Sequence, residues 1–148
     1  LSNQTTVIKL GTRDLENCIG LDHTIFNGIW TKEQWQEELT AKARICVGIM
    51  QANKLIGFAC GSLALDEVNI TLLGIHPLHQ RLGLGTLVVK SLLTKAYICG
   101  STIALLEVKE NNVIAQSFYR YIGFRQIGYR PRLYKDGISA IVYSVNKE

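Results

Sequence analysis

Glu107 stands in an otherwise apolar run, Leu105-Leu106-Glu107-Val108. A carboxylate there is costly to bury unless it has a partner or a proton to move. Taken on its own it is either a proton acceptor or a strand-end glutamate held in a salt bridge. Upstream, Gln80-Arg81-Leu82-Gly83-Leu84-Gly85-Thr86 sits where a β-like apolar run ending at Pro77 gives way to a helical one. Unpaired N–H groups at a helix N-terminus carry partial positive charge, and glycines let a phosphate come close to the main chain, so this segment is a candidate anion cradle. A Gly-x-Gly pair alone is weak evidence. Downstream follow Asn112, Phe118-Tyr119 and Gly123-Phe124. By residue type Asn112 reads as a helix N-cap or turn residue, and Tyr119, at helical spacing with Phe118 and Ile122, as a core aromatic.

The elements that must position these groups follow from periodicity and breakers. Thr6 to Leu10 reads as a first strand, and Asp14 to Leu21 and Lys32 to Leu39 as short helices. Thr31 is suited to cap the second of these, with Gln34 giving half of a capping box. Arg44 to Met50 and Leu55 to Leu65 are β-rich runs joined by a hairpin turn at Ala52-Asn53-Lys54. Val68 to Ile75 is a strand stopped by Pro77. Gly85 to Cys99 has the length and spacing of a helix, with Gly100 suited to its C-terminal cap. Thr102 to Val108 is apolar enough to predict a strand covered on both faces. Ala115, Phe118, Tyr119 and Ile122 mark an amphipathic helix ending at Gly123, and Phe124 to Tyr129 and Ser139 to Val145 close the sheet. The order predicts one mixed α/β domain, of the α+β kind, over residues 1–148 with a largely antiparallel sheet.

Composition narrows the function classes. At 148 residues the chain can bury one substantial core. A net charge of +4 from scattered Lys and Arg argues against an extended nucleic-acid footprint. No apolar stretch reaches the length of a membrane span, because Lys90 and Lys95 interrupt the longest one. Cys18, Cys46, Cys60 and Cys99 form no Cys-x-x-Cys pair, and with His23, His76 and His79 they offer no zinc-like spacing, so no metal is expected. They read as reduced thiols of a cytoplasmic protein, and His76 and His79 as parts of a polar loop. The chain begins with Leu1 rather than Met, so the native start is expected to lie further upstream.

The stretch from Leu72 to Phe124 resembles the coenzyme-A-binding core of the GNAT superfamily of N-acetyltransferases, and within it the RimI-type ribosomal-protein-alanine N-acetyltransferases. The likeness runs more weakly through the earlier part of the chain. It implies a GNAT fold: a mixed, mostly antiparallel sheet of about seven strands flanked by about four helices, with a splayed strand pair forming the acetyl-CoA cleft. By the same resemblance, Leu73, Gly74 and Ile75 supply the strand that pairs with the pantetheine arm. Arg81, Leu82, Gly83, Leu84, Gly85 and Thr86 form the pyrophosphate loop, and Asn112 contacts the cofactor arm. Glu107 takes the place of the general base, and Tyr119 that of the group protonating the coenzyme A thiolate. Trp30 helps wall the acceptor groove, and Arg130 and Tyr134 lie near the acceptor.

The implied reaction is direct attack of an amine on the acetyl thioester, with a strand N–H near Ile75 stabilising the oxyanion. An α-amine with a pKa near 8 loses its proton at pH 7 for roughly 1 kcal/mol, against about 4–5 for lysine, which favours a protein N-terminus as acceptor. The resemblance makes that acceptor the N-terminal alanine of a small-subunit ribosomal protein. Another N-terminus, a lysine, a small amine, or plain acyl-CoA binding without turnover are the alternatives. Two departures bear on the acceptor. Pro131, Arg132 and Leu133 stand where bacterial RimI enzymes commonly carry Arg, Asn and Tyr, and Asn69 stands where many relatives carry a glutamate base, leaving Glu107 as the candidate.

Overall fold

The computed structural model describes residues 4–148. Its strands are β1 (Thr5–Lys9), β2 (Arg44–Gln51), β3 (Lys54–Ala64), β4 (Glu67–Ile75), β5 (Ile103–Lys109), β6 (Arg125–Arg130) and β7 (Ala140–Asn146). Its helices are α1 (Leu15–Phe26), α2 (Lys32–Thr40), α3 (Leu84–Ile98) and α4 (Val113–Tyr121). One seven-stranded sheet runs β1-β2-β3-β4-β5-β7-β6. Every pairing is antiparallel except β4 with β5.

Most boundaries fall within a residue or two of those expected, and α1 is the exception. It continues past Leu21, its expected end, and stops only where Asn27 adopts the left-handed conformation at φ 61°. Thr31 and Gln34 complete a reciprocal capping box: the Gln34 N–H donates to Thr31 Oγ1 at 3.1 Å, and the Thr31 N–H donates to Gln34 Oε1 at 2.8 Å.

The sheet separates two apolar layers. On one side α3 packs Leu84, Val88, Val89, Leu92 and Ala96 onto Val47, Ile49, Val68 and Ala104. On the other side α1 and α2 cover Leu10, Phe58, Cys60 and Leu72 with Cys18, Leu21 and Trp35. A bulge in β4 exchanges its two faces. Cys60 pairs with Leu72 and Gly61 with Ile70, leaving Thr71 without a cross-strand partner. Because side chains alternate along a strand, one extra residue reverses which of them face each layer. Val68 and Ile70 therefore join the α3 layer, and Leu72 the α1 layer.

β5 corrects the expectation of a strand covered on both sides. Ala104, Leu106 and Val108 are buried, whereas Ile103, Leu105, Glu107 and Lys109 face a partly open surface. The apolar character of Leu105 reflects a cavity wall rather than a second core layer.

Candidate functional site

The site begins with a failure of pairing. β4 and β5 are matched only at Glu67–Ile103, Val68–Ala104 and Asn69–Leu105. Beyond that β4 continues to Ile75 and β5 to Lys109, so the two strands diverge and a cleft opens in the middle of the sheet. Two cavities meet at the divergence.

The larger cavity, about 840 Å³, is walled by Leu73, Gly74 and Ile75 of β4, by the start of α3, and by one face of α4. Gly83, the residue before α3, takes φ +79°, a left-handed value that glycine adopts without strain. Arg81 takes φ 65°. The chain turns sharply here into α3, whose first residues Leu84, Gly85 and Thr86 line the cleft, and the first-turn amides have no acceptor within the helix. Gly85 is small for a local reason, since a Cβ there would stand 3.2 Å from Phe118 of α4. Gly74 answers to packing as well: a Cβ would meet Phe26 and Phe58 at 2.9 Å, so this glycine seats α1 against the strand.

On the opposite wall Asn112 caps α4, its Oδ1 accepting from the Ala115 N–H at 3.1 Å, and it also lines the cleft. The Gln116 side-chain amide ties α4 to the end of β5 by donating to the carbonyls of Lys109 at 3.2 Å and Glu110 at 2.8 Å. Tyr119 sits on this anchored helix, edge-on to Phe118 and Phe124. Burial pushes its hydroxyl up to about 12, which keeps it protonated across the neutral range.

The smaller cavity, about 570 Å³, lies on the other side of the divergence and includes Glu67, Asn69, Thr71, Leu105, Arg130 and Val142 in its walls. Glu107 and Tyr134 line both cavities. Arg130 of β6 donates to Glu107 Oε2 at 2.8 Å, with side chains 60% and 36% exposed. The salt bridge that is one reading of Glu107 is therefore present, and it leaves the carboxylate accessible from the cleft. Tyr134 is set by the turn between β6 and β7, where its N–H donates to the Ile138 carbonyl at 3.1 Å. The Lys109 ammonium lies 5.1 Å above its ring and pairs with Asp136 at 2.9 Å. Burial, then the nearby Glu107 and Asp136 carboxylates, raise the Tyr134 hydroxyl above its ordinary range, against the opposing pull of Lys109.

The structure thus gathers Leu73, Gly74, Ile75, Arg81, Gly83, Leu84, Gly85, Thr86, Glu107, Asn112, Tyr119, Arg130 and Tyr134 around the divergence. Leu82 and Trp30 stand apart from both cavities: Leu82 is exposed, and Trp30 packs edge-on against Trp35 at 4.7 Å between ring centres. In its place Ile29, half exposed, lines the larger cleft with Ile25 and Phe26. His79 lines that cleft too, while His76 Nδ1 accepts from the Leu78 N–H at 3.1 Å.

What residue type alone did not disclose is Asp22. Its carboxylate, 1% exposed, accepts from the N–H groups of Ile29 at 2.8 Å and Trp30 at 3.1 Å, and from Trp35 Nε1 at 2.8 Å. It fixes the loop between α1 and α2 beside the cleft. Its signal was a lone acid on the apolar face of α1, visible only once that helix is extended to Phe26. Glu38, Cys46 and Cys60 also converge, with ligand-type atoms within 4.8 Å of one another. Burial raises the Cys60 thiol and the Glu38 carboxyl above their ordinary values, and Glu38 is paired with Arg44 at 3.2 Å.

Comparison with known proteins matches residues 13–147 to the acetyltransferase (GNAT) domain family. The N-alpha-acetyltransferase RimI of Mycobacterium tuberculosis is 28% identical over 136 residues, covering 88% of this chain and 84% of the relative. An uncharacterised Mycobacterium leprae protein is 31% identical over 139 residues, 89% of this chain, and this chain spans only 38% of that protein. The crystal structure of the ribosomal-protein-S18-alanine N-acetyltransferase from Escherichia coli superposes with a TM-score of 0.87 at 24% identity, over 97% of this chain and 94% of that one, which shows the shared fold.

Proposed function

The chain belongs to the GNAT acetyltransferase family, and we propose that it carries an acetyl group from acetyl-CoA to the α-amine of a protein N-terminus, the N-terminal alanine of a small-subunit ribosomal protein. One observation carries the reading: Glu107 and Tyr134 line both cavities at the point where β4 and β5 part. A donor on one side and an amine on the other would meet there.

The larger cleft suits acetyl-CoA in size and chemistry. The first-turn amides of α3 and the Arg81 guanidinium attract a pyrophosphate, and the edge of Leu73-Gly74-Ile75 is available to an extended, amide-bearing arm. Acetyl-CoA supplies the activated acyl group. Asn112 and the face of α4 bound the channel along which that arm lies.

The proton chemistry falls to two side chains. Glu107 takes a proton from the arriving α-ammonium, directly or through one water, and the ammonium competes with Arg130 for the carboxylate. Tyr119, held protonated by burial, supplies the proton needed by the leaving sulfur. Arg130 and Tyr134 bound the acceptor side. Among the described residues no helix is long and apolar enough to cross a membrane. Cys18, Cys46, Cys60 and Cys99 are free thiols, as a cytoplasmic setting would keep them.

The test is acetyl-CoA-dependent mass gain on a peptide beginning with the alanine of the ribosomal target, beside the same peptide with its α-amine blocked and its lysines free. Gain on the unblocked peptide alone is expected. Gain on both assigns lysine chemistry instead, and gain on neither, with acetyl-CoA bound, leaves an acyl-CoA-binding module.

A further inference from the structure

The smaller cavity has a charge that the reaction above does not use. Glu107 is matched by Arg130, and the neighbouring Asp66 carboxylate accepts from Thr102 Oγ1 at 3.3 Å. Glu67, which lines the same cavity, has no ion pair or side-chain hydrogen bond among the described residues. The same cavity is lined by aliphatic Ile70, Leu105 and Val142 and by polar Asn69 and Thr71, so its walls are mixed. A cavity that offers aliphatic surface together with an unpaired carboxylate suits a long cationic side chain, whose methylenes pack on Ile70, Leu105 and Val142 while its head reaches the acid.

The spacing fits a peptide entering amine first. Glu67 is in register with Ile103, four residues before Glu107 on the parallel β5, so the backbone positions of the two acids are separated by about 13 Å along the strand direction. An extended peptide advances roughly 3.3–3.6 Å per residue. With the α-nitrogen at Glu107, a lysine or arginine at the second or third residue brings its charged head to Glu67.

We propose that Glu67 is a specificity-determining residue that selects acceptor N-termini carrying Lys or Arg at the second or third position. This rests on the Nα-acetyltransferase reading. Glu67 stands clear of the reacting atoms, so its effect falls on acceptor KM and leaves kcat and acetyl-CoA affinity nearly unchanged. A basic acceptor tail places its first cation against an acid that is otherwise unneutralised, whereas an acidic residue there meets like charge.

The experiment compares initial acetylation rates on three peptides that begin with Ala and differ only at residues two and three, carrying Arg, Leu or Glu. It uses the wild-type chain, Glu67→Gln and Glu67→Lys, each checked for unchanged circular dichroism and acetyl-CoA affinity. The wild type should favour the Arg peptide over the Leu peptide by about 10-fold in kcat/KM, carried by KM and shrinking with added salt. Glu67→Gln should erase that preference, and Glu67→Lys should turn it toward the Glu peptide. A preference that survives Glu67→Gln, or equal rates on all three peptides in the wild type, overturns this inference alone. Transfer to none of them overturns the Nα reading together with it.

Discussion

The two halves of the site are made from different materials. The larger side includes features that act through the main chain: the edge of β4, the first turn of α3, and glycines whose missing side chains let chain or neighbour approach. The smaller side includes side chains drawn from distant parts of the sequence: Glu67 from β4, Glu107 from β5, Arg130 from β6 and Tyr134 from the turn that follows. A backbone surface is indifferent to most substitutions and intolerant of a few, so it serves a donor that never varies. A surface of side chains can be rewritten one residue at a time. On the proposed reading, the difference would let one fold keep its donor while changing its acceptor.

The sharpest way to break this division is at its boundary. Glu107→Gln removes the proposed proton acceptor while keeping size and hydrogen bonding, and turnover should fall about 10²- to 10⁴-fold with acetyl-CoA affinity nearly intact, read by steady-state rates and calorimetry. Equal loss of both would make Glu107 a structural member of the donor side. Next, Asp22→Ala strands three N–H donors around the α1–α2 loop and should cost about 3 kcal/mol in urea unfolding. Acetyl-CoA affinity should survive where the variant is folded; its loss would show that the loop belongs to the donor half. On the donor side itself, Gly85→Val forces a branched side chain against Phe118 and should raise the acetyl-CoA Kd by about 10- to 100-fold, or about 1.4–2.7 kcal/mol. A folded Gly85→Val chain with unchanged affinity would remove the anion cradle from the argument.

The smallest effect is a titration. The folded Tyr119 hydroxyl sits at about 12 against an ordinary value of 10.0. The unfolded chain therefore releases this proton first as pH rises, and stability falls between about pH 10 and 12. Below that window the contribution is fully present. Tyr119→Phe should flatten this part of the stability curve, measured by chemical denaturation at a series of alkaline pH values, and should lower turnover at neutral pH if the hydroxyl supplies the leaving-group proton.

The same contrast governs what could be read before the fold was known. Backbone features leave local marks: Gly83 and Gly85 ahead of an apolar helix, Asn112 ahead of α4, and Pro77 after β4 are all adjacent in sequence to what they do. The order of elements and the residues that wall the larger cleft were therefore legible. The acceptor side depends on pairings at long range. That Arg130 reaches Glu107 follows from β7 lying between β5 and β6, and no local pattern encodes that order. The resemblance puts Trp30 at the acceptor groove, and no local pattern separates a groove tryptophan from one packed on a neighbouring ring. Asp22 is what decides between them, since its carboxylate turns the loop backbone inward, sets Trp30 against Trp35 and leaves Ile29 at the cleft. Nor could spacing reveal the bulge at Thr71, because the alternation on each side of it is regular and only the phase changes.

The three matched rungs between β4 and β5 have a further consequence. Beyond Asn69 the centre of the sheet contains an unsealed edge, where alternate backbone groups of Leu72–Ile75 face open space instead of a neighbouring strand. Amides in the middle of a seven-stranded sheet would ordinarily be among the slowest to exchange with deuterated water, yet those directed across the gap should exchange like a loop's. An extended ligand that enters the gap forms rungs without breaking any, so their exchange should slow on binding while the β3-facing amides of the same strand stay as they were. Recorded residue by residue, that alternation would map the ligand's path through the sheet.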